Sequence, residues 1–168
     1  MPFTPYHLGF ALLVGYFFRR KIHWPTFILA SVVVDLEPFL VFIDVLERYP
    51  LHGYMHSFLL GSLSGLLLGY AMYTTRKMHA EFFKRLALVE NEIGLAGYLV
   101  GGVVGWDLHI LVDSPLYTDI KPFYPVQANP LYNAWGYPKE LLFLLLFAGI
   151  LLYIFHVFKN AFKRSKML

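Results

Sequence analysis

Residues 141–158 read LLFLLLFAGILLYIFHVF, a run of eighteen positions without a charged side chain. A hydrocarbon core of about 30 Å is crossed by about 20 helical residues, so this run has the composition and nearly the length of a membrane-spanning helix. Further apolar segments precede it at 5–18, 27–43, 54–75 and 93–112. The sequence therefore predicts an all-α, polytopic transmembrane helix bundle with about five membrane segments.

Composition supports one membrane-embedded domain over residues 1–168. The chain is 58% hydrophobic and only 15% charged, whereas soluble domains are nearer half apolar and a quarter charged. It has no cysteine, which excludes disulfides and thiolate metal sites. The net charge of +3 does not indicate nucleic-acid binding, because the basic residues sit at segment ends rather than in one patch.

Basic residues set the predicted orientation. They follow the first, third and fifth segments, and the positive-inside rule places those connections in the cytoplasm. The N-terminus is then outside and the C-terminus cytoplasmic, as expected for a multi-pass protein of the cell membrane. The residues concerned are Arg19, Arg20, Lys21, Arg76, Lys77, Lys84, Arg85, Lys159, Lys163, Arg164 and Lys166.

Two connections have a character of their own. Residues 76–92 carry apolar side chains at helix-like spacing among charges, which predicts an amphipathic helix on the cytoplasmic surface. Residues 114–138 are rich in Pro, Tyr and Asn and lie on the predicted outer side. Their aromatic side chains favour an ordered cap loop at the membrane interface.

On this topology, histidines and carboxylates from four segments gather at the outer level. Ionisable residues are costly in a bilayer, and a bound cation would offset that cost. His109 and Asp113 lie four residues apart and extend a stripe of small residues on segment four, which points both side chains into the bundle. The metal-ligand candidates are His7, Asp35, His52, His56, His109, Asp113 and Asp119.

Local spacing refines these candidates. His52 and His56 share one helix face if the third helix already includes residues 51–53. Pro38 weakens the helix around Asp35 and Glu37, which lets both carboxylates turn inward.

Plainer alternatives stay open at each position. His52 and His7 could be interfacial histidines, and Asp35 with Glu37 could cap helices around a kink. Asp113 could be an ordinary acid at a helix end, and Asp107 and Asp119 could support a site from outside it or simply be solvated.

The same residues resemble a family of small membrane proteins labelled membrane-bound metal-dependent hydrolases. The elements are Thr4-Pro5-Tyr6-His7, Val34-Asp35-Leu36-Glu37-Pro38, Leu51-His52-Gly53-Tyr54-Met55-His56-Ser57, and His109-Ile110-Leu111-Val112-Asp113. The match spans roughly the first 125 residues. Family members often carry a further His five positions before the one at His56, and Pro in place of Val34. The resemblance implies metal-dependent hydrolysis.

The leading expectation is a hydrolase of a phosphoester, such as a lipid headgroup, at the outer face. One or two divalent ions, with zinc expected, would be held by the histidines and aspartates. Glu37 is the preferred general base and Asp107 a further catalytic candidate. Residues of the cap loop would bind a membrane lipid or lipid-linked substrate, with Lys121 on its phosphate. The substrate-binding candidates are Tyr117, Lys121, Tyr124 and Trp135.

Two rivals compete with the hydrolase. One is a non-catalytic protein that binds or transports metal, which would need polar residues continuing through the bundle. The other is a structural protein whose His and Asp residues only bond one another. The substrate, the metal count and the oligomeric state are left open by the sequence.

Overall fold

The computed structural model describes residues 5–89, 91–134 and 140–165, and within them it contains helices and no strand. A 3₁₀ turn, Tyr54–His56, precedes the fourth helix. The helices are α1 (Pro5–Phe18), α2 (Trp24–Val33), α3 (Leu36–Phe42), α4 (Phe58–Thr74), α5 (Arg76–Arg85), α6 (Leu95–Asp113) and α7 (Glu140–Ser165). The predicted all-α class is confirmed.

Several of these helices are long and apolar enough to cross a membrane. Three candidate spans occur in the described residues, at Trp24–Phe42, Leu95–Asp113 and Glu140–Phe162. A fourth is present if α4 and α5, which bend by 88° at their junction, count as one broken span. The short helix α1 is apolar over Tyr6–Phe18. The chain therefore has the build of a membrane protein with three or four candidate spans, and five crossings stay a prediction.

The helices pack side by side in the order α7, α1, α2, α6 and α4. Glycines permit this close approach. A Cβ on Gly65 of α4 would lie 2.6 Å from the carbonyl oxygen of Gly102 on α6, and one on Gly105 would lie 2.5 Å from that of Phe27 on α2. Lipid tails are as apolar as the side chains, so helices in a bilayer associate mainly through such van der Waals contact. The stripes of small residues are thus packing surfaces.

Buried aromatic side chains fill the space between α1, α2 and α6. Trp24 and Phe27 are each 1% exposed, and the Trp24 indole N–H donates to the Ala11 carbonyl at 3.3 Å. Trp106 and Ile110 of α6 pack against Ala30 in a second cluster. Helix α2 is thereby fixed against both neighbours, which sets the position of the chain that follows it.

The third apolar segment begins its helix later than predicted. Ser57 is extended and its hydroxyl caps α4 by accepting from the Leu60 N–H, so the helix starts at Phe58. His52 lies before this point and His56 ends the 3₁₀ turn. The condition for both imidazoles to share one helix face, a helix that includes residues 51–53, is therefore not met, because Gly53 and Ser57 keep the backbone out of the α conformation.

Residues 76–89 contain the predicted amphipathic helix, but it is shorter than the connection. Helix α5 ends at Arg85, and Ala87 adopts a left-handed conformation with φ 55°.

On the opposite side of the bundle, residues 114–134 fold over the ends of α4 and α6. The Phe58 N–H donates to the Pro122 carbonyl at 2.8 Å, and the Asn129 amide donates to the carbonyls of Ser114 and Tyr117, both at 2.8 Å. The described part of the cap loop is therefore anchored to the bundle.

Candidate metal centre

The break between α2 and α3 delivers two carboxylates to the interior. The chain turns at Val34 and Asp35, and Asp35 is the first residue flanking α3. Pro38 lies in the first turn of α3, where its missing N–H costs no intrahelical bond. This turn places Asp35 and Glu37 at the level of the last turn of α6.

Four side chains from different parts of the chain converge there. One ligand atom from each of Asp35, His56, His109 and Asp113 lies within 4.8 Å of all the others. The His109 Nε2 atom is 3.5 Å from the Asp35 Oδ1 atom and 3.4 Å from the Asp113 Oδ2 atom. His56 is fully buried, and the Asp113 side chain is 2% exposed. We name these four residues the metal cluster, because they could hold a metal ion.

The spacing of the cluster suits a small cation. Zinc ligands lie at about 2.0–2.2 Å from the ion, so the edge of a tetrahedral site is about 3.3 Å. The two separations from the His109 Nε2 atom are close to that edge. Imidazole and carboxylate are also the ligands that zinc and similar divalent metals accept.

Orphaned polar atoms point to the same conclusion. Among the described residues, the Nε2 atoms of His7, His56 and His109 and the Oδ1 atom of Asp113 are buried and make no hydrogen bond of good geometry, although the first and third imidazoles lie 3.2 and 3.4 Å from Asp113 oxygens. Leaving a buried polar group unsatisfied costs about 1–3 kcal/mol. A shared cation would satisfy such atoms together, whereas contacts among these side chains leave the His56 Nε2 atom without a partner.

Hydrogen bonds on the far side of each imidazole orient it. The His109 Nδ1 atom lies 2.8 Å from the Ser31 carbonyl oxygen, which can only accept, so Nδ1 carries the proton. The His56 Nδ1 atom lies 2.9 Å from the Glu37 Oε2 atom and donates to it in the same way. Both Nε2 lone pairs therefore face the cluster, the arrangement in which outer partners fix histidine ligands.

Glu37 is fully engaged by this orienting role. Its Oε1 atom accepts from the Tyr49 hydroxyl at 2.8 Å and the Met55 N–H at 3.1 Å. Its Oε2 atom accepts from the Gly53 N–H at 3.0 Å as well as from His56. A carboxylate with four donors has no lone pair directed at a substrate, so the arrangement does not fit the predicted general base.

Burial sets the protonation of two groups outside the membrane spans. It lowers the pKa of the His56 imidazole, which favours the neutral form that binds metal. It raises the pKa of the Tyr49 phenol to about 12, which keeps that hydroxyl a donor to Glu37.

His7 lies at the edge of the cluster. Its ring stacks on that of His109 with centroids 3.9 Å apart. Its Nε2 atom is 3.2 Å from the Asp113 Oδ1 atom. Helix α1 thus contributes a further imidazole, next to the four residues rather than among them.

His52 and Asp119 form a separate pair beside the cluster. The His52 Nδ1 atom lies 2.9 Å from the Asp119 Oδ2 atom, and the His52 ring is centred 4.9 Å from that of His56. Tyr117 packs against His52 at 4.5 Å between ring centroids. His52, Lys121 and Tyr124 line a cavity of about 120 Å³. Predicted substrate residues thus adjoin the pair, while Trp135 lies outside the described residues.

Asp107 is not brought to the cluster. It precedes His109 by two residues, about 200° around the helix, and accepts from the Ser62 hydroxyl of α4 at 2.8 Å.

Two residues that help to orient the cluster were not predicted from the sequence. Ser31 acts through a backbone carbonyl, which has no sequence signal, and Tyr49 lies in a loop between two apolar segments.

Comparison with known proteins gives no further guide. No protein-family model, no curated protein and no solved structure matches the chain. A buried cluster of two aspartates and two histidines on an all-helical, apolar chain is the basis for inferring function.

Proposed function

We propose that this protein is a metal-dependent hydrolase of the membrane that acts on a phosphoester, with a divalent cation, zinc by preference, held by Asp35, His56, His109 and Asp113. The observation that carries the proposal is the convergence of oriented imidazole lone pairs and carboxylate oxygens within 4.8 Å of one another. A cation held there would supply a hydroxide nucleophile at neutral pH and polarise a phosphoryl oxygen.

The neighbouring residues can perform the remaining tasks. His52 is held by Asp119 through its Nδ1 atom, so its Nε2 atom is the one available to accept a proton from a water nucleophile and then to pass it to a leaving oxygen. Lys121 lines the cavity of about 120 Å³ next to His52 and would bind a phosphate through charge-assisted hydrogen bonds. Glu37 is a positioning residue, because it acts through His56.

Location supports a lipid or lipid-linked substrate. The cluster lies at the end of the candidate span Leu95–Asp113 and beside the break within Trp24–Phe42 that holds Asp35. With basic residues concentrated on the opposite connections, the positive-inside rule assigns the cluster to the non-cytoplasmic face of the cell membrane. This orientation, five crossings and membership of the membrane-bound metal-dependent hydrolases belong to the same proposal.

A protein that binds metal without catalysis would use the metal cluster, but it would leave the adjoining cavity without a role. Transport is disfavoured by the packing along α6, because Gly105 and Gly101 press against the backbone of Phe27 and His23 instead of lining a polar path. A purely structural role leaves the buried Nε2 atom of His56 unsatisfied.

The proposal is tested by metal analysis followed by lipid analysis. Protein purified without chelator should carry stoichiometric metal, and His109→Ala should lose it. Mass spectrometry of phospholipid vesicles incubated with each should show headgroup release by the native protein only. Stoichiometric metal with intact lipids and intact soluble phosphoesters would favour binding without catalysis, and metal-free native protein would refute the site.

A further inference from the structure

A second site lies at the opposite end of α6 from the metal cluster. A cavity of about 770 Å³ opens where the bent pair α4 and α5 meets the start of α6. The helix places about 27 Å between Leu95 and Asp113, since each residue rises 1.5 Å. The cavity is therefore remote from the proposed reaction, about one membrane thickness away. We call it the basic cavity.

Among the described residues, three cations and one carboxylate line the basic cavity. Arg76, Lys77 and Lys84 all come from α5, and the carboxylate is that of Glu92; Glu90 lies outside the described residues. Arg76 and Lys84 are eight residues apart, close to two full helical turns, so they share one face with Ala80 between them. The described lining residues carry a net positive charge of two (three minus one).

Arg76 is held in place at the wall of the cavity. Its guanidinium carbon lies 4.2 Å over the Tyr73 ring, and its Nη1 atom donates to the Tyr73 carbonyl at 2.8 Å. A guanidinium has five N–H donors, so this bond leaves others for a ligand. Stacked arginine with a fixed plane is well suited to bind the oxygens of a phosphate.

The start of α6 adds to the positive field. Gly94 lines the cavity and precedes α6 without a side-chain cap. The first N–H groups of a helix carry a partial positive charge and bind anions readily. A Cβ on Gly94 would meet no atom within 4 Å, so the space in front of the helix is open.

The surroundings favour a lipid over a soluble anion. On α5, Met78 is 85% exposed and Phe82 is 60% exposed, four residues apart on one face. Helix α5 lies at 88° to α4, the placement of an interfacial helix whose apolar face enters the bilayer surface. The cavity cations lie on the other side of α5 from Met78 and Phe82, so a helix placed in this way holds them at the level of the lipid headgroups.

We propose that the basic cavity binds the phosphate headgroup of an anionic membrane lipid. Basic residues that merely fix orientation by the positive-inside rule do not need to share a cavity. Here three of them line one wall of a cavity that also contains an uncapped helix start. Basic pockets on the cytoplasmic side of membrane helices are known to recognise anionic headgroups.

The test compares two pairs of charge-removing variants. Lys77→Gln with Lys84→Gln removes two cavity cations, while Arg20→Gln with Lys21→Gln removes two exposed cations that do not line the cavity. Affinity for short-chain phosphatidylglycerol, against phosphatidylcholine, is measured by native mass spectrometry of the full-length protein. Lys77→Arg with Lys84→Arg shows whether charge alone restores binding, and metal content checks the distant cluster.

The cavity pair should weaken phosphatidylglycerol binding roughly 30-fold, about fivefold for each lysine. The control pair and the arginine pair should bind as the native protein does, and phosphatidylcholine should bind weakly to all. Equal weakening by both glutamine pairs would overturn the proposal in favour of general surface charge. Displacement of the lipid by inorganic phosphate at equal concentration would show a free-phosphate site and would also overturn it.

Discussion

Replacing Glu37 by Gln tests the orienting network most sharply, since it changes one atom in a residue that accepts four hydrogen bonds. Glutamine has one acceptor oxygen, so it can satisfy either the Tyr49 and Met55 donors or the Gly53 and His56 donors, but not both pairs. If its amide group faces His56, it donates to Nδ1 and moves the imidazole proton to Nε2, which then cannot bind metal.

In both arrangements, the hydrogen bond that orients the His56 imidazole for metal binding is weakened or lost. Loss of such an outer partner lowers metal affinity about 10–100-fold, which corresponds to about 1.4–2.7 kcal/mol. We expect this loss for zinc when the detergent-solubilised protein is titrated against a competing chelator. Glu47→Gln is the matched control, because Glu47 is exposed and has no part in the cluster.

Two outcomes would refute the reasoning. Native metal affinity in Glu37→Gln would show that the carboxylate does not position His56. Native affinity together with lost phosphoesterase activity would restore Glu37 as the general base predicted from the sequence.

Three further predictions follow from other parts of the fold. Burial lowers the pKa of His23 to about 3. Between pH 6.5 and 3, only the unfolded chain binds a proton at this residue, so the free energy of unfolding falls by about 1.4 kcal/mol per pH unit as pH decreases. Above pH 6.5, His23 adds no pH dependence to stability. His23→Asn keeps a capping acceptor without that titration, so thermal unfolding at pH 5 and pH 7.5 should differ less than in the native protein. Gly102→Leu should push α4 away from α6, which should lower the free energy of unfolding by about 1–3 kcal/mol or more and weaken zinc binding. Gly94→Ala is the control: its Cβ meets open space, so this variant should unfold like the native protein. Equal unfolding of the two variants would contradict the close packing of α4 on α6. Asp119→Asn should retain metal but lower turnover by freeing His52, and loss of metal in this variant would make the pair part of the metal site.

Much of the helical framework could be read from local composition. Apolar runs marked the regions of α1, α2 with α3, α4, α6 and α7, because a helix in lipid must satisfy its own backbone bonds and present apolar side chains. The stripe of small residues on segment four indicated close helix contact, and Gly105 against the Phe27 carbonyl now shows how close it is. The boundary before α4 was mispredicted, because a serine cap stops the helix where the apolar run does not.

The sequence also singled out Asp35, His56, His109 and Asp113 among other candidates, but not their separate tasks. His52, His7 and Asp119 have the same chemistry and lie at the same level, so residue type could not distinguish cluster members from neighbours. Glu37 next to Asp35 was equally suited to a ligand, a base or an orienting group. Its four donors come from a loop 12 to 19 residues away, which spacing along α3 does not reveal.

By itself, the sequence determined the helical class, the membrane character and the supply of imidazole and carboxylate at one end of the segments, because these follow from hydropathy and helix period alone. Only the tertiary structure decided which atoms meet. The partner that fixes each imidazole is a carbonyl or carboxylate on another helix, and the direction of a lone pair depends on that contact. The basic cavity likewise arises from the bend between α4 and α5, which brings the cations of one helix to the start of another.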